Sequence, residues 1–295
     1  MAKELFGVIP PMTTPFGADG EIVYAAVKPL VDFMIGAGAH GLAAGGSTGE
    51  GHTLDETELA KLIEATTEAA AGRIPIVAGI IVDSTRDAIR RGRAVQGMGV
   101  AALQVTPVHY LFRPTDQAMV DHFRAMADST ELPIIIYNVV PWTYLSPALL
   151  LRIMDEVPRV IGVKQSAGDL KLVADLMLGV KPGRKIFTAV DALMYPSYIL
   201  GVHGSIGAIL TAAPHASVQL WDAVQAGDHA KAHALHKRLL VLWNAISADN
   251  LPANCKHALE LQGVPAHRPR MPMPAPDKAR QAQIRAGLDG LGLKV

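Results

Sequence analysis

A lysine ends a short apolar segment near the middle of the chain. The segment is Val160–Gln165, and Lys164 is its only charged residue. An ammonium group removed from water loses hydration free energy, so its pKa falls from ~10.4 and the neutral amine gains population near pH 7. A neutral amine can attack a ketone carbon and form a Schiff base, through which a nearby C–C or C–O bond breaks or forms. The position alone is equally typical of a lysine that reaches solvent along its methylene stem.

A tyrosine ends the preceding apolar segment, which reads Ile136-Tyr137-Asn138 at its carboxyl end. If the two segments are neighbouring strands, the phenol of Tyr137 lies near the amine of Lys164. A phenol can donate and accept a proton, which Schiff-base chemistry requires when the carbinolamine loses water. A tyrosine that packs with a hydrated tip is the alternative interpretation.

A glycine-rich segment, Gly45-Gly46-Ser47-Thr48-Gly49-Glu50, follows another apolar segment. Successive N–H groups in such a turn form a concavity that fits a carboxylate, although a turn can also need glycine for geometry alone. The segment also matches the Gly-x-Ser-x-Gly pattern of serine hydrolases, for which Asp191 and His203 or His215 would have the right order. The hydrolase pattern runs directly into a helix, whereas helical spacing here begins only near residue 55, which favours the keto-acid interpretation.

Short β-rich segments alternate with amphipathic ones along most of the chain. We predict eight strands, most of them apolar throughout as in a parallel sheet, and helices between them that often begin at a Ser, Thr or Asp cap. The predicted strands are residues 7–12, 41–45, 75–80, 101–106, 133–138, 160–165, 185–190 and 204–209. The predicted fold is an α/β (β/α)8 TIM barrel over residues 1–212, with a C-terminal helical extension over residues 213–295 packed on it.

The composition excludes several classes of function. Lys plus Arg is 27 and Asp plus Glu is 27, so no net charge favours nucleic acid or an anionic membrane. The single cysteine, Cys255, cannot form an internal disulfide or a metal-binding pair. No apolar run is long enough for a membrane helix or a signal peptide, so we expect a soluble, cytoplasmic protein.

Several motifs in register resemble one family. They are the segment 45–50, Thr106-Pro107, Tyr110, Tyr137-Asn138 and the segment 162–169, which reads Gly-Val-Lys-Gln-Ser-Ala-Gly-Asp. Together they resemble the dihydrodipicolinate synthase/N-acetylneuraminate lyase family, over about residues 6–290. The resemblance implies a (β/α)8 barrel with a helical extension and a Schiff-base lyase that uses pyruvate or a related 2-keto acid, with no metal and no organic cofactor.

The resemblance also implies roles for individual residues. Lys164 would form the Schiff base, and Tyr137 would relay protons beside it. Ser47 and Thr48, in the same turn as Gly46, would bind the keto-acid carboxylate, and one of the two hydroxyls would join the relay.

Two further positions follow from the same resemblance. Tyr110 would reach into the active site of a partner copy, since family members are often dimers or tetramers. Ile206 would contribute its backbone carbonyl to the hydrogen bonds near the lysine.

The chain also departs from the family pattern. Residues 139–145 contain no arginine of the kind that grips the second substrate's carboxylate in the synthases, and residues 189–192 read Ala-Val-Asp-Ala where the neuraminate lyases have Gly-x-Asp-Glu. We therefore expect a 2-keto acid to react with a second substrate, such as an aldehyde, that differs from those of the synthases and the neuraminate lyases. Arg113, Trp142 and Tyr144 are the candidate contacts for this second substrate. The dihydrodipicolinate synthase reaction itself, a serine hydrolase and a non-catalytic keto-acid-binding barrel stay open as alternatives.

Overall fold

The computed structural model describes residues 4–108 and 110–293. Within them, eight parallel strands form one sheet in the order β1-β8-β7-β6-β5-β4-β3-β2. The strands are β1 Gly7–Val8, β2 Leu42–Ala44, β3 Ile76–Ile80, β4 Ala102–Val105, β5 Ile134–Asn138, β6 Val160–Gln165, β7 Lys185–Thr188 and β8 Gly204–Ser205. A parallel bridge joins Pro11, in the segment that follows β1, to Ala43 of β2, so the sheet closes into a barrel. The predicted (β/α)8 fold is confirmed.

Helices cover the outside of the barrel and form the C-terminal extension. They are α1 Val27–Gly36, α2 Glu56–Ala70, α3 Thr85–Ala94, α4 Asp116–Thr130, α5 Pro147–Glu156, α6 Leu170–Gly179, α7 Met194–Ile199, α8 Ala208–Ala212, α9 Pro214–Gln225, α10 His229–Ile246, α11 Leu251–Leu261 and α12 Lys278–Gly290. Several helices begin at a side-chain cap. At the start of α2, the Asp55 carboxylate accepts from the backbone N–H of Glu58 at 2.8 Å, and the Glu58 carboxylate accepts from the backbone N–H of Asp55.

The first and last strands are shorter than predicted. β1 stops at Val8 because Pro10 and Pro11 have no N–H to give to a neighbouring strand. β8 stops at Ser205 because Gly207 caps the short helix α8, which the sequence pattern did not predict. The segment after β1 continues beside β2, where Pro10 O accepts from Ala43 N–H at 3.0 Å, whereas the chain after β8 turns into α8.

The inside of the barrel holds a compact apolar layer. It consists of Leu5, Ile9, Ala43, Val77, Ala102, Ile135, Phe187 and Ile206. A larger apolar cluster fills the space between the strands and the surrounding helices. Because this inner layer blocks the barrel axis, ligands can reach the inward-facing side chains above it only from the carboxyl end.

The C-terminal helices pack against each other and against the barrel. α10 lies against α9, α12 and α7, and α11 lies against α8 and α12. The division of the chain at residue 212 stays a prediction. In the part of the chain that the structure describes, no helix combines the length and apolar character needed to span a membrane.

Candidate active site

A cavity of about 470 Å³ opens at the carboxyl end of the barrel. Its walls come from loops after several strands and from two helices of the extension. The lining residues are Pro11, Ser47, Thr48, Tyr137, Val139, Lys164, Ser166, Gly168, Ala189, Val190, Asp191, Ala192, Leu193, Ile206, Gly207, Ala208, Trp243, Leu251 and Pro252. This is the end of the barrel where strand-end side chains converge.

Lys164 projects from β6 into this cavity and is nearly inaccessible, with 3% of its surface exposed. Burial lowers the pKa of its amine to about 7, while the nearby carboxylate of Asp191 acts in the opposite direction. Desolvation dominates because an ammonium surrounded by protein loses hydration that one carboxylate does not replace. A pKa of about 7 gives the amine a neutral, and so nucleophilic, population near neutral pH.

Tyr137 lies directly beside Lys164 because β5 and β6 pair these two residues in register. The lysine Nζ sits over the phenol ring, 3.6 Å from its centroid. The phenol hydroxyl donates to Ser47 Oγ at 3.1 Å, and burial raises the pKa of Tyr137 to about 12. The sequence predicted a phenol near the amine; in the structure the amine contacts the ring face and the hydroxyl points to the glycine turn.

The turn that carries Ser47 and Thr48 is held closed by its own backbone. Glu50 N–H donates to Ser47 O, and Gly51 N–H donates to Gly46 O, each at 3.0 Å. A Cβ added at Gly51 would lie 1.8 Å from Gly45 O, so only glycine permits this fold of the chain. Ser47 and Thr48 line the cavity, and Gly46 is buried immediately before them.

The sequence placed Asp191 only in the serine hydrolase alternative, and the structure places it in the same cavity as Lys164. It follows β7, lines the cavity, and accepts from the backbone N–H of Ile209 at 2.8 Å through Oδ1. Burial raises the pKa of its carboxyl to about 6, against the lowering effect of that N–H and of Lys164. The position after a barrel strand was the available signal, because that is where side chains enter a barrel site.

Other predicted positions fall in different places. Ile206 is fully buried in the cavity wall. Tyr110 is 62% exposed, and Trp142 Nε1–H donates to the backbone carbonyl of Tyr110 at 2.7 Å. Arg113 is exposed and its guanidinium lies 3.5 Å from Asp116. Tyr144 is half-buried and close enough to influence the pKa of Tyr137, but neither it nor Arg113 nor Trp142 lines the cavity.

The serine hydrolase interpretation does not fit this geometry. The hydroxyl of Ser47 is bonded to Tyr137, not to an imidazole. His203 Nδ1 accepts from Ile186 N–H, so its ring lies on the side of the barrel where the strands begin, and His215 contacts Gln219 on the surface. Helix α2 also begins only at Glu56, well after the serine.

A second and larger cavity, of about 630 Å³, lies between the glycine turn and the proline-rich segment after α11. Its walls include Arg270 and Arg280, whose guanidinium groups already donate to protein groups, among them Glu58 and Ala245 O. The described residues that line it include neither a lysine nor a tyrosine, so the cavity that contains Lys164 is the one suited to carbonyl chemistry. Among the described residues, no cluster of His, Cys, Asp or Glu is arranged to hold a metal ion.

The fold and the site together define a class of protein, the Schiff-base lyases. The fold is a closed (β/α)8 barrel, and its carboxyl end holds a desolvated amine, an adjacent phenol and a hydroxyl-bearing glycine turn. The chain belongs to the dihydrodipicolinate synthetase family, whose sequence model matches residues 4–290. It is thus a Schiff-base lyase of the class I aldolase type, the class that the resemblance implied.

Individual relatives agree with this assignment. The chain is 33% identical over 285 residues to the 4-hydroxy-tetrahydrodipicolinate synthase of Symbiobacterium thermophilum, covering 96% of each chain. It is 35% identical over 290 residues to the enzyme of the same name from Roseobacter denitrificans, covering 97% of this chain and 98% of that one.

Solved structures show the same architecture. YagE, a prophage protein of the dihydrodipicolinic acid synthase family from E. coli K12 solved in complex with pyruvate, superposes with a TM-score of 0.93 at 28% identity. That match covers 98% of this chain and 99% of YagE. The dihydrodipicolinate synthase from Aquifex aeolicus gives a TM-score of 0.92 at 25% identity, with 99% of each chain covered.

Proposed function

We propose that Lys164 is the nucleophile of this lyase and that its substrates are pyruvate, or another 2-keto acid, and an uncharged aldehyde. The observation that carries the proposal is the placement of the Lys164 amine, buried in the cavity wall and 3.6 Å from the Tyr137 ring centroid. A charged amine would be poorly stabilised there, whereas a neutral amine is ready to attack a carbonyl carbon.

The keto-acid carboxylate fits the glycine turn. Ser47 and Thr48 line the cavity and supply hydroxyl donors there. A carboxylate held there leaves the adjacent keto carbon free to approach Lys164. Ser47 and Thr48 are therefore proposed substrate-binding residues, with Gly46 allowing the close approach of the backbone.

Imine formation proceeds by loss of one water. The Lys164 amine attacks the keto carbon, the carbinolamine hydroxyl takes up a proton, and water leaves as the C=N bond forms. Tyr137 is the proposed proton relay, since its hydroxyl stays protonated and is linked to Ser47 at 3.1 Å. Loss of a proton from C3 then gives an enamine, which can add to an aldehyde carbon; the reverse sequence cleaves the product.

The charges of the cavity wall support a neutral second substrate. Lys164 and Asp191 are the only charged side chains among the described lining residues. Once Lys164 is bound to the keto acid, Asp191 remains as a hydrogen-bond acceptor, which suits the hydroxyl groups of a polyol aldehyde and repels a carboxylate. Relatives named 4-hydroxy-tetrahydrodipicolinate synthase represent the alternative, the synthase reaction.

A substrate panel tests this choice. Pyruvate is mixed in turn with glyceraldehyde, with longer uncharged hydroxyaldehydes and with aspartate 4-semialdehyde, and kcat/KM is measured for each. We expect at least a tenfold preference for an uncharged hydroxyaldehyde and a loss of that preference in Asp191→Ala. A preference for the semialdehyde would overturn the proposal in favour of the synthase reaction.

We propose that a second copy of the chain packs against an exposed apolar loop. Tyr110, Leu111, Phe112 and Trp142 are 62%, 70%, 79% and 61% exposed, an unusual concentration of large apolar side chains on one surface. We infer a dimer or tetramer in which Tyr110 approaches the neighbouring site. Light scattering of the wild type and of Leu111→Asp tests this, with a smaller mass expected for the variant and an unchanged mass opposing the inference.

A further inference from the structure

A buried ion pair joins the C-terminal extension to the end of the glycine turn. Lys256, in α11, donates to Glu50 Oε1 at 2.6 Å, and the two side chains are 1% and 0% exposed. The residues are 206 positions apart in the chain. Burying two charges is costly unless their remaining polar atoms are also satisfied, so a pair this deep requires further partners.

Those partners are present on both sides. The second oxygen of Glu50 accepts from Arg270 N–H at 2.8 Å, and Lys256 Nζ also donates to Arg268 O at 2.7 Å. The ring of Phe16 lies beneath both cations, 4.7 Å from Lys256 Nζ and 4.3 Å from Arg270 Cζ. The Glu50 carboxylate therefore links both α11 and the segment after α11 to the glycine turn.

The same carboxylate belongs to a residue that shapes the turn. Glu50 has a left-handed backbone, with φ of 54°, which a non-glycine residue adopts only where its surroundings hold it. The Glu50 N–H donates to Ser47 O at 3.0 Å, and the Thr14 hydroxyl donates to the adjacent carbonyl, Gly49 O, at 2.6 Å. Moving the Glu50 side chain would therefore move the backbone at Ser47.

The contacts continue from the turn to the amine. Ser47 Oγ accepts from the Tyr137 hydroxyl at 3.1 Å, and the Tyr137 ring lies 3.6 Å from Lys164 Nζ. A continuous set of direct contacts thus runs from Lys256 in the extension, through Glu50 and Ser47, to the reacting end of the barrel.

We propose that Lys256 is a positioning residue: through its ion pair with Glu50 it holds the Ser47–Thr48 turn in the shape that binds the keto-acid carboxylate. The inference rests on the proposed function, because it concerns the same site. The extension is then a part of the binding machinery and not merely a cover on the barrel.

The test compares neutral replacements of the pair with a matched core variant. Removing one partner leaves an unpaired buried charge, whereas Glu50→Gln with Lys256→Met replaces both, so kinetics are measured chiefly on the double variant. Leu259→Ala is the control, because Leu259 is fully buried in the same helix and its truncation loosens the core without touching Glu50. Lys256→Arg keeps the positive charge, and it is the variant to measure if the neutral variants do not fold.

Turnover and borohydride trapping are measured against pyruvate concentration for each variant. We expect the double variant to raise the KM for pyruvate and the half-saturating concentration for trapping at least tenfold, with kcat within threefold of wild type. Leu259→Ala should change neither, and Lys256→Arg should give an intermediate KM.

Each outcome has a separate meaning. An unchanged KM in the double variant, or an equal rise in Leu259→Ala, overturns the positioning role while leaving the lyase intact. Absence of a pyruvate adduct in the wild type would overturn the proposed function, and this inference with it. If only Lys256→Arg folds, a rise of threefold or more in the KM for pyruvate with kcat unchanged supports the role, and a fall in kcat with KM unchanged argues against it.

Discussion

Replacing Lys164 by Met should make the protein more stable at pH 8 while abolishing its activity. The amine of Lys164 has a pKa of about 7 in the folded protein, against 10.5 for the group in its ordinary state. At pH 8 the unfolded chain binds a proton at this position and the folded chain mostly does not. Folding therefore has to release that proton, which costs free energy.

The size of this cost follows from the two pKa values. At about 1.4 kcal/mol per pKa unit, the buried lysine opposes folding by roughly 3 kcal/mol at pH 8. The cost is greatest below pH 7, where folding must instead bury the charge, and it disappears as the pH rises towards 10.5. Methionine has a similar length, carries no proton and packs readily, so Lys164→Met should recover most of the difference.

Thermal unfolding measured by calorimetry at pH 8 and pH 10 checks this. We expect Tm to rise by roughly 5–10 °C at pH 8, where 1 kcal/mol corresponds to about 2–4 °C in a chain of this size, and to rise far less at pH 10. Lys231→Met is the control, because Lys231 is exposed and its replacement removes no buried amine. An equal or lower Tm for Lys164→Met at pH 8 would refute the claim that desolvation lowers the pKa of this lysine.

Three further substitutions test the other groups of the site. Tyr137→Phe should lower kcat by about 10²–10⁴ while trapping of pyruvate persists, because the ring under Lys164 remains and only the relay hydroxyl is lost; an unchanged kcat removes Tyr137 from the relay. Asp191→Asn should move the acidic limb of imine formation to lower pH, because the pKa of about 7 for Lys164 already includes the raising effect of this carboxylate, and its removal leaves burial unopposed; a pH profile identical to that of wild type contradicts this. Ser47→Ala should raise the KM for pyruvate about 10–100-fold, as expected for losing a hydrogen bond to a carboxylate worth about 1.5–3 kcal/mol; steady-state kinetics with unchanged KM would exclude Ser47 from binding.

The central strands were predictable because their pattern is simple. The predicted sixth strand coincides with β6 at both ends, since an unbroken apolar run can be buried on both faces of a parallel sheet. The rule that strand ends carry the chemistry then selected Lys164 and Tyr137, and the sheet register pairs them. Local sequence was sufficient here because strand position alone decides which way these side chains point.

Features set by distant parts of the chain could not be predicted in the same way. Asp191 accepts from the N–H of Ile209, 18 positions further along the chain, and the local sequence does not show this contact. The pair of Glu50 and Lys256 depends on how the extension folds over the barrel. The direction of the Tyr137 hydroxyl depends on Ser47, 90 residues away, so the sequence predicted closeness to the amine but not the contact with the ring face.

Covalent trapping tests most directly whether the Lys164 amine is the nucleophile. The protein is incubated with pyruvate at several pH values, reduced with sodium borohydride, digested and analysed by mass spectrometry. We predict a carboxyethyl group on Lys164, with a yield that rises as the pH increases through about 7, where the buried amine loses its proton. An adduct on a different lysine, or no adduct on Lys164 at any pH, would contradict the central claim that this amine is the nucleophile.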